Sequence, residues 1–226
     1  MRRWVLSCSV ALLLLELSVT PVAQATTPDA ANQSITEFLK QDDSQHAYKA
    51  RRRLEVVNGS RTAWLEAFTE FSPAMGFQYH VVSEGGSAWI RNMVLRGVLD
   101  GERDLIKKGE TARSSLDRTN YFFHANGLEA DGLASVRVLP RRKDRTLVDG
   151  TILLTVATGD LVRLTGRLAK NPSFWVKNVD IARSYARLAG VVVPVSLTST
   201  AEVRLLGAAT LRMSYVYSEI DGRRLP

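Results

Sequence analysis

The feature that most constrains this chain is the stretch from Asn120 to the C-terminus, where strand-like segments follow one another with only short turns between them. Tyr121 to Ala125, Leu133 to Leu139, Leu147 to Ala157, Leu161 to Leu168, Ser173 to Arg187, Val191 to Leu206 and Leu211 to Tyr217 read as strands. Gly, Asp, Asn and Pro punctuate them, as in the loop Thr158-Gly159-Asp160 and the close at Asp221-Gly222. Links this short leave no room for crossovers, so neighbours pair antiparallel as a meander.

The upstream part supplies more strands and the helices. Arg53, Glu55 and Val57 alternate with Leu54 and Val56 until Asn58-Gly59, a strong hairpin signal. The returning strand, Thr62 to Phe71, sets Trp64, Glu66, Phe68 and Glu70 against Ala63, Leu65, Ala67 and Phe71; Phe77 to Val82 follows and Glu84-Gly85-Gly86 ends it. Ser87 to Lys108 is the one long helical signal, with Ile90, Val94, Leu95, Val98 and Leu99 at spacings of three to five and Leu105 continuing the stripe. Gly97 and Gly101 weaken it, so a kink or break is expected near Asp100-Gly101. A weaker helix is expected over Thr111 to Arg118. Near the start, Ser34 and Glu37 suggest a capping box for a brief helix ending near Lys40, after a mobile segment from Thr26 to about Asn32. The expected fold is α+β: one strongly curved antiparallel sheet, a half-barrel, with helices covering its concave face.

The N-terminus reads as an export signal. Arg2 and Arg3 precede an apolar run from Trp4 to Leu15, and Pro21-Val22-Ala23-Gln24-Ala25 supplies a cleavage site after Ala25. Glu16 interrupts the run before it reaches membrane-spanning length, so cleavage is preferred over an anchored N-terminus. Residues 1–25 are then a cleavable signal and 26–226 a single periplasmic domain. Cutting there removes the only cysteine, Cys8, and leaves 28 basic against 22 acidic residues, a net charge of +6. That charge favours anionic partners such as lipid headgroups. Nucleic acid is not expected, since no groove-reading motif is present.

Chemistry-bearing patterns are sparse. No Gly-x-Ser-x-Gly elbow and no phosphate-binding loop follows from the serines or from Glu84-Gly85-Gly86. Strand pairing could bring His80 and His124 together near Glu84 to bind a metal, although separate surface positions are the simpler reading. Arg51-Arg52-Arg53 and Arg141-Arg142-Lys143 read as solvated surface. No catalytic residue, metal or cofactor is expected. The aromatic supply instead suits an apolar pocket between sheet and helix. Its expected lining is Trp64, Phe68, Phe77, Tyr79, Trp89, Ile90, Met93, Val94, Tyr121, Phe123, Phe174 and Trp175. Asn171-Pro172-Ser173-Phe174-Trp175 could form either a strand start or a rim that grips an apolar ligand.

Asn120-Tyr121-Phe122-Phe123, Leu139-Pro140-Arg141-Arg142-Lys143, Asp149-Gly150, Gly159-Asp160-Leu161-Val162-Arg163 and Met213-Ser214-Tyr215-Val216-Tyr217 look like patterns in exported carrier-like proteins. The order of elements, an N-terminal helix, two or three strands, a long helix and a meander, resembles the periplasmic outer-membrane lipoprotein carrier superfamily. That resemblance implies a carrier or chaperone holding an acyl chain, lipid or lipoprotein, without catalysis. The rival is an interaction or sensor module with a filled core that binds another envelope or outer-membrane protein. N-terminal sequencing of the exported protein should start at Thr26; a chain retaining Met1 or Arg2 would contradict the cleavage reading.

Overall fold

The computed structural model describes residues 27–41, 45–174, 176–204 and 207–226; the expected signal peptide lies outside them. In chain order the elements begin with helix α1 (Thr27–Lys40) and strands β1 (Tyr48–Asn58), β2 (Arg61–Ser72) and β3 (Gly76–Gly86). Helix α2 follows as a continuous rod made of Ala88–Ile90, a π-helical stretch Arg91–Leu95 and Arg96–Lys107. The meander is β4 (Tyr121–Leu128), β5 (Ala134–Pro140), β6 (Val148–Leu154), β7 (Leu161–Leu168), β8 (Val176–Leu188), β9 (Val191–Val203) and β10 (Gly207–Ile220), with a short β11 (Arg223–Arg224).

All pair antiparallel in one open, curved sheet, in the order β3-β2-β1-β10-β9-β8-β7-β6-β5-β4, with β11 beside β10. The N-terminal hairpins therefore join the far end of the meander through β1 and β10, and β3 and β4 remain as edges. Asn58 pairs with Arg61, leaving a two-residue turn whose Gly59 has φ +57°. Register shifts at Lys49/Ala50, Glu66/Ala67, Ala125/Gly127 and Leu153/Leu154 add local twist and bend the strands. Between β6 and β7 the backbones come unusually close. A Cβ on Gly150 would lie 2.0 Å from the Thr165 carbonyl oxygen, so this approach requires glycine.

One register row shows which face is the inside. Leu65, Leu54, Met213, Leu197, Arg183, Leu164, Ile152, Val136 and Ala125 sit opposite one another from β2 across to β4. At the β1–β3 end this face meets Ile90, Leu95 and Leu99 of α2, and Leu95 and Leu99 are fully buried. At the β4–β6 end it meets Ala31 and Ile35 of α1. Ile181 on β8 packs against both clusters, joining the two roofed ends across the middle strands. No helix among the described residues is long and apolar enough to cross a membrane.

The helices depart from the sequence reading in three places. Helix α1 starts at Thr27, so the segment expected to be mobile is helical and Ser34 is not a cap. Ser34 lies fully buried inside the helix and its hydroxyl donates to the Ala30 carbonyl, 2.9 Å away. Two alanines, Ala30 and Ala31, extend the helix upstream, and packing of the buried Ala31 repays its ordering. Helix α2 does not break at Asp100-Gly101, because Gly97 and Gly101 face open space and nothing displaces the backbone there. Its irregularity lies earlier, where the Arg96 amide bonds the Arg91 carbonyl in the π register. The expected second helix is only a 3-10 turn, Thr111–Ser114.

Gly150→Ala should lower unfolding free energy by about 1–3 kcal/mol through overpacking. Gly97→Ala should raise it by about 0.5–1 kcal/mol, since its site is open and helical. Urea denaturation midpoints check both.

Candidate functional site

Extending the alternation of β1 back by one step places Arg52 on the same inner side as Leu54 and Val56. Arg52 is 2% exposed, which corrects its reading as solvated surface; its neighbours Arg51 and Arg53 do face out. Helix α2 supplies its counter-charge. Arg52 Nη1 donates to Glu102 Oε2 at 2.6 Å and Nη2 to Glu102 Oε1 at 3.0 Å, a bidentate pair. Nη2 also donates to the Tyr48 hydroxyl. The flat faces of the guanidinium are covered by aromatic rings: Tyr215 at 4.7 Å, Phe77 at 5.0 Å and Tyr48 at 5.6 Å. A second polar tie holds the same helix, the Tyr79 hydroxyl donating to Asp100 Oδ1 at 2.8 Å.

The tyrosines around this centre are held neutral. Burial pushes the phenols of Tyr48, Tyr215 and Tyr217 well above their ordinary value, more than Arg52 pulls them down. Tyr215 and Tyr217 stack with ring centroids 6.1 Å apart, and Tyr217 donates to the Pro194 carbonyl at 2.9 Å.

Arg183 of β8 is the second inward arginine, and it interrupts an otherwise apolar register row between Leu164 and Leu197. As a residue it is half-buried, while its Nε is shut off from solvent without a hydrogen-bond partner. Its side chain hydrogen-bonds Tyr185, and the carboxylate that acts on it most is Glu102. No salt bridge to Arg183 occurs among the described residues.

The residues expected to line a pocket divide between the two faces. Phe77, Tyr79, Ile90 and Val94 lie at the β3–α2 interface, and Tyr121 and Phe123 lie beneath α1. Trp64 and Phe68 belong to the outward row of β2, stacked under Arg53 at 4.7 Å and Arg51 at 5.6 Å, so they line no interior. Trp89 and Met93, 60% and 65% exposed, ride on the outer side of α2. Phe174 is exposed with Arg204 over its ring, and Trp175 lies outside the described residues. A cleft of about 760 Å³ opens on the outer face along Thr151, Thr165, Ala182 and Thr198. Beneath α2 the inner face is packed closed at Leu95 and Leu99, while the centre of that face is charged and aromatic instead of uniformly greasy.

The histidines do not converge. His80 is on β3 and His124 on β4, opposite edges of the strand order, so strand pairing cannot join them. Glu84 is engaged by Arg91 at 3.4 Å and Arg96 at 2.7 Å, fastening the start of α2. His46 pairs with Asp221 at 2.7 Å, far along the chain from both.

Fold and site together define a helix-roofed, open half-barrel whose concave face carries two arginines around one carboxylate. No family model and no curated protein matches the chain. Among solved structures it is similar to a DUF1329 family protein from Desulfovibrio piger, with 10% identity, covering 84% of this chain and 91% of that one at a TM-score of 0.41. It is also similar to a LolA superfamily protein from Nitrosomonas europaea, with 8% identity, 90% and 96% coverage and a TM-score of 0.40. Likenesses this remote say nothing of ligand or partner.

Glu102→Ala should strand the buried Arg52 charge. The expected loss is about 3 kcal/mol, the low end for a broken buried pair because Glu102 is one-third exposed. The double variant Arg52→Met/Glu102→Leu should recover most of it in urea unfolding. Because the folded state keeps phenol protons that the unfolded chain releases, stability should also fall as pH rises above about 10.

Proposed function

We propose that this protein is an envelope carrier that holds an acyl chain, lipid or lipoprotein between the concave sheet face and α2, without catalysing a reaction. The observation that carries this reading is how α2 is attached. Its apolar underside of Ile90, Leu95 and Leu99 rests on the sheet, while polar ties at Arg52–Glu102, Tyr79–Asp100 and Glu84–Arg96 fix its position. Polar ties can be exchanged for water when a helix lifts, and the exposed apolar surface is then available to methylenes worth about 0.8 kcal/mol each. The π stretch lies where the ends of such a helix can adjust. Loading beneath α2 thus requires displacement of the helix, since Leu95 and Leu99 are fully buried against the sheet.

Export fits this role. A signal peptide cut after Ala25 would release residues 26–226 into the periplasm as one domain, and the basic balance suits approach to anionic lipid surfaces. The edges β3 and β4 offer backbone for contact with an envelope or outer-membrane partner. A second reading draws on a specific observation: the full burial of Leu95 and Leu99 resembles an ordinary core, as in an interaction module.

Native mass spectrometry of protein purified from the envelope separates the two. Carriage predicts a bound lipid-sized adduct, reduced at least severalfold when Val94, half-buried on the sheet-facing side of α2, is replaced by Asp. A folded protein that stays empty on incubation with acyl-chain ligands would favour the interaction module.

A further inference from the structure

We infer that the cargo is an anionic amphiphile, and that Arg183 receives its carboxylate or phosphate headgroup; this rests on the carrier reading above. The register row containing Arg183 is apolar at its eight other positions, so the arginine is the single charge placed on that line of the inner face. With Arg52 it makes two guanidiniums on this face, served by one nearby carboxylate, Glu102. Glu102 is already committed to both terminal nitrogens of Arg52, leaving the interior with a positive charge in excess.

Tyr185 supplies Arg183 with a neutral partner only, and Nε has none. Such an arrangement is unfavourable in the empty protein, because desolvating a cation is compensated only by an anion or a full set of acceptors. A guanidinium presents a fork of donors that matches a carboxylate or phosphate. Tyr215, kept protonated by burial and close enough to feel the Arg183 charge, can add a hydroxyl donor to the same anion. Arg183 is also reachable, being half-buried, whereas Arg52 is sealed by its three rings. Its place on β8, beside Ile181 where the two apolar clusters meet, puts a headgroup at the centre of the concave face and the chain along the apolar ground beneath α2.

Calorimetric titration of the mature protein with palmitate, methyl palmitate and inorganic phosphate tests this, in the wild type and in Arg183→Met. The expected result is that the wild type prefers palmitate over its ester about tenfold or more, the scale of a charge-assisted hydrogen-bonded pair. Arg183→Met should remove that preference and leave ester binding unchanged. It should also raise the ligand-free melting temperature or leave it unaltered, which an arginine with a purely structural role would not do. Equal binding of acid and ester, unaffected by Arg183→Met, would overturn the inference while leaving carriage intact. Arg183-dependent binding of inorganic phosphate as tight as that of palmitate would overturn it in favour of a free-anion site. Failure of both chain ligands to bind would overturn the carrier reading and the inference with it.

Discussion

Arg52 is a permanent cation on the inside of a β-sheet, and the arrangement of the protein around it follows from that cost. An isolated charge in such a place would be untenable. Glu102 answers it from above, three aromatic rings cover its faces, and Tyr48 takes a remaining donor. The pair therefore does more than fasten two residues. It fixes the height and angle of α2 over β1–β3, and with them the fit of Leu95 and Leu99 against Leu54 and Leu65. A hydrophobic pair of similar size would hold the helix at least as firmly. A polar latch differs in what happens when it opens, since both partners can be hydrated.

The sheet makes this possible by curvature. Glycine at positions 150 and 166 lets β6 and β7 approach closely, and the bulges bend the strands enough that clusters under two separate helices meet at Ile181. Neither helix crosses the whole face. Between them the middle strands present Arg183, Tyr185 and Tyr215, which gives the concave side an electrostatic centre flanked by two apolar ends. An amphiphile has the same division into charged head and apolar chain.

Much of this could be read from the sequence. The meander, the hairpin at Gly59 and the long helix after Gly86 follow from local periodicity and turn chemistry, which depend on near neighbours. The start of α1 was hidden because Ser34 and Glu37 mimic a cap, while the true reason for helix upstream is tertiary packing of Ala31. Arg52 was legible in principle: alternation with Leu54 and Val56 points it inward, but a run of three arginines suggests solvent. Arg183 was similarly signalled by alternation with Ile181 and Tyr185. The location of Glu102 opposite Arg52 was not, since pairing across fifty residues depends on how the helix lies. The choice of face was equally beyond local pattern for Trp64 and Phe68, whose strand has apolar residues on both sides.

Carriage requires α2 to move away from the sheet to admit a chain. Pulsed electron spin resonance distances between nitroxides at positions 97 on α2 and 198 on the outer side of β9 address it directly, as both positions are exposed. Cys8 is the only native cysteine, so labels on the mature chain would be confined to the introduced ones. A carrier of this kind shows a single distance population in the empty protein that moves to longer distances when a fatty acid is bound. An unchanged distribution with the fatty acid demonstrably bound would contradict it.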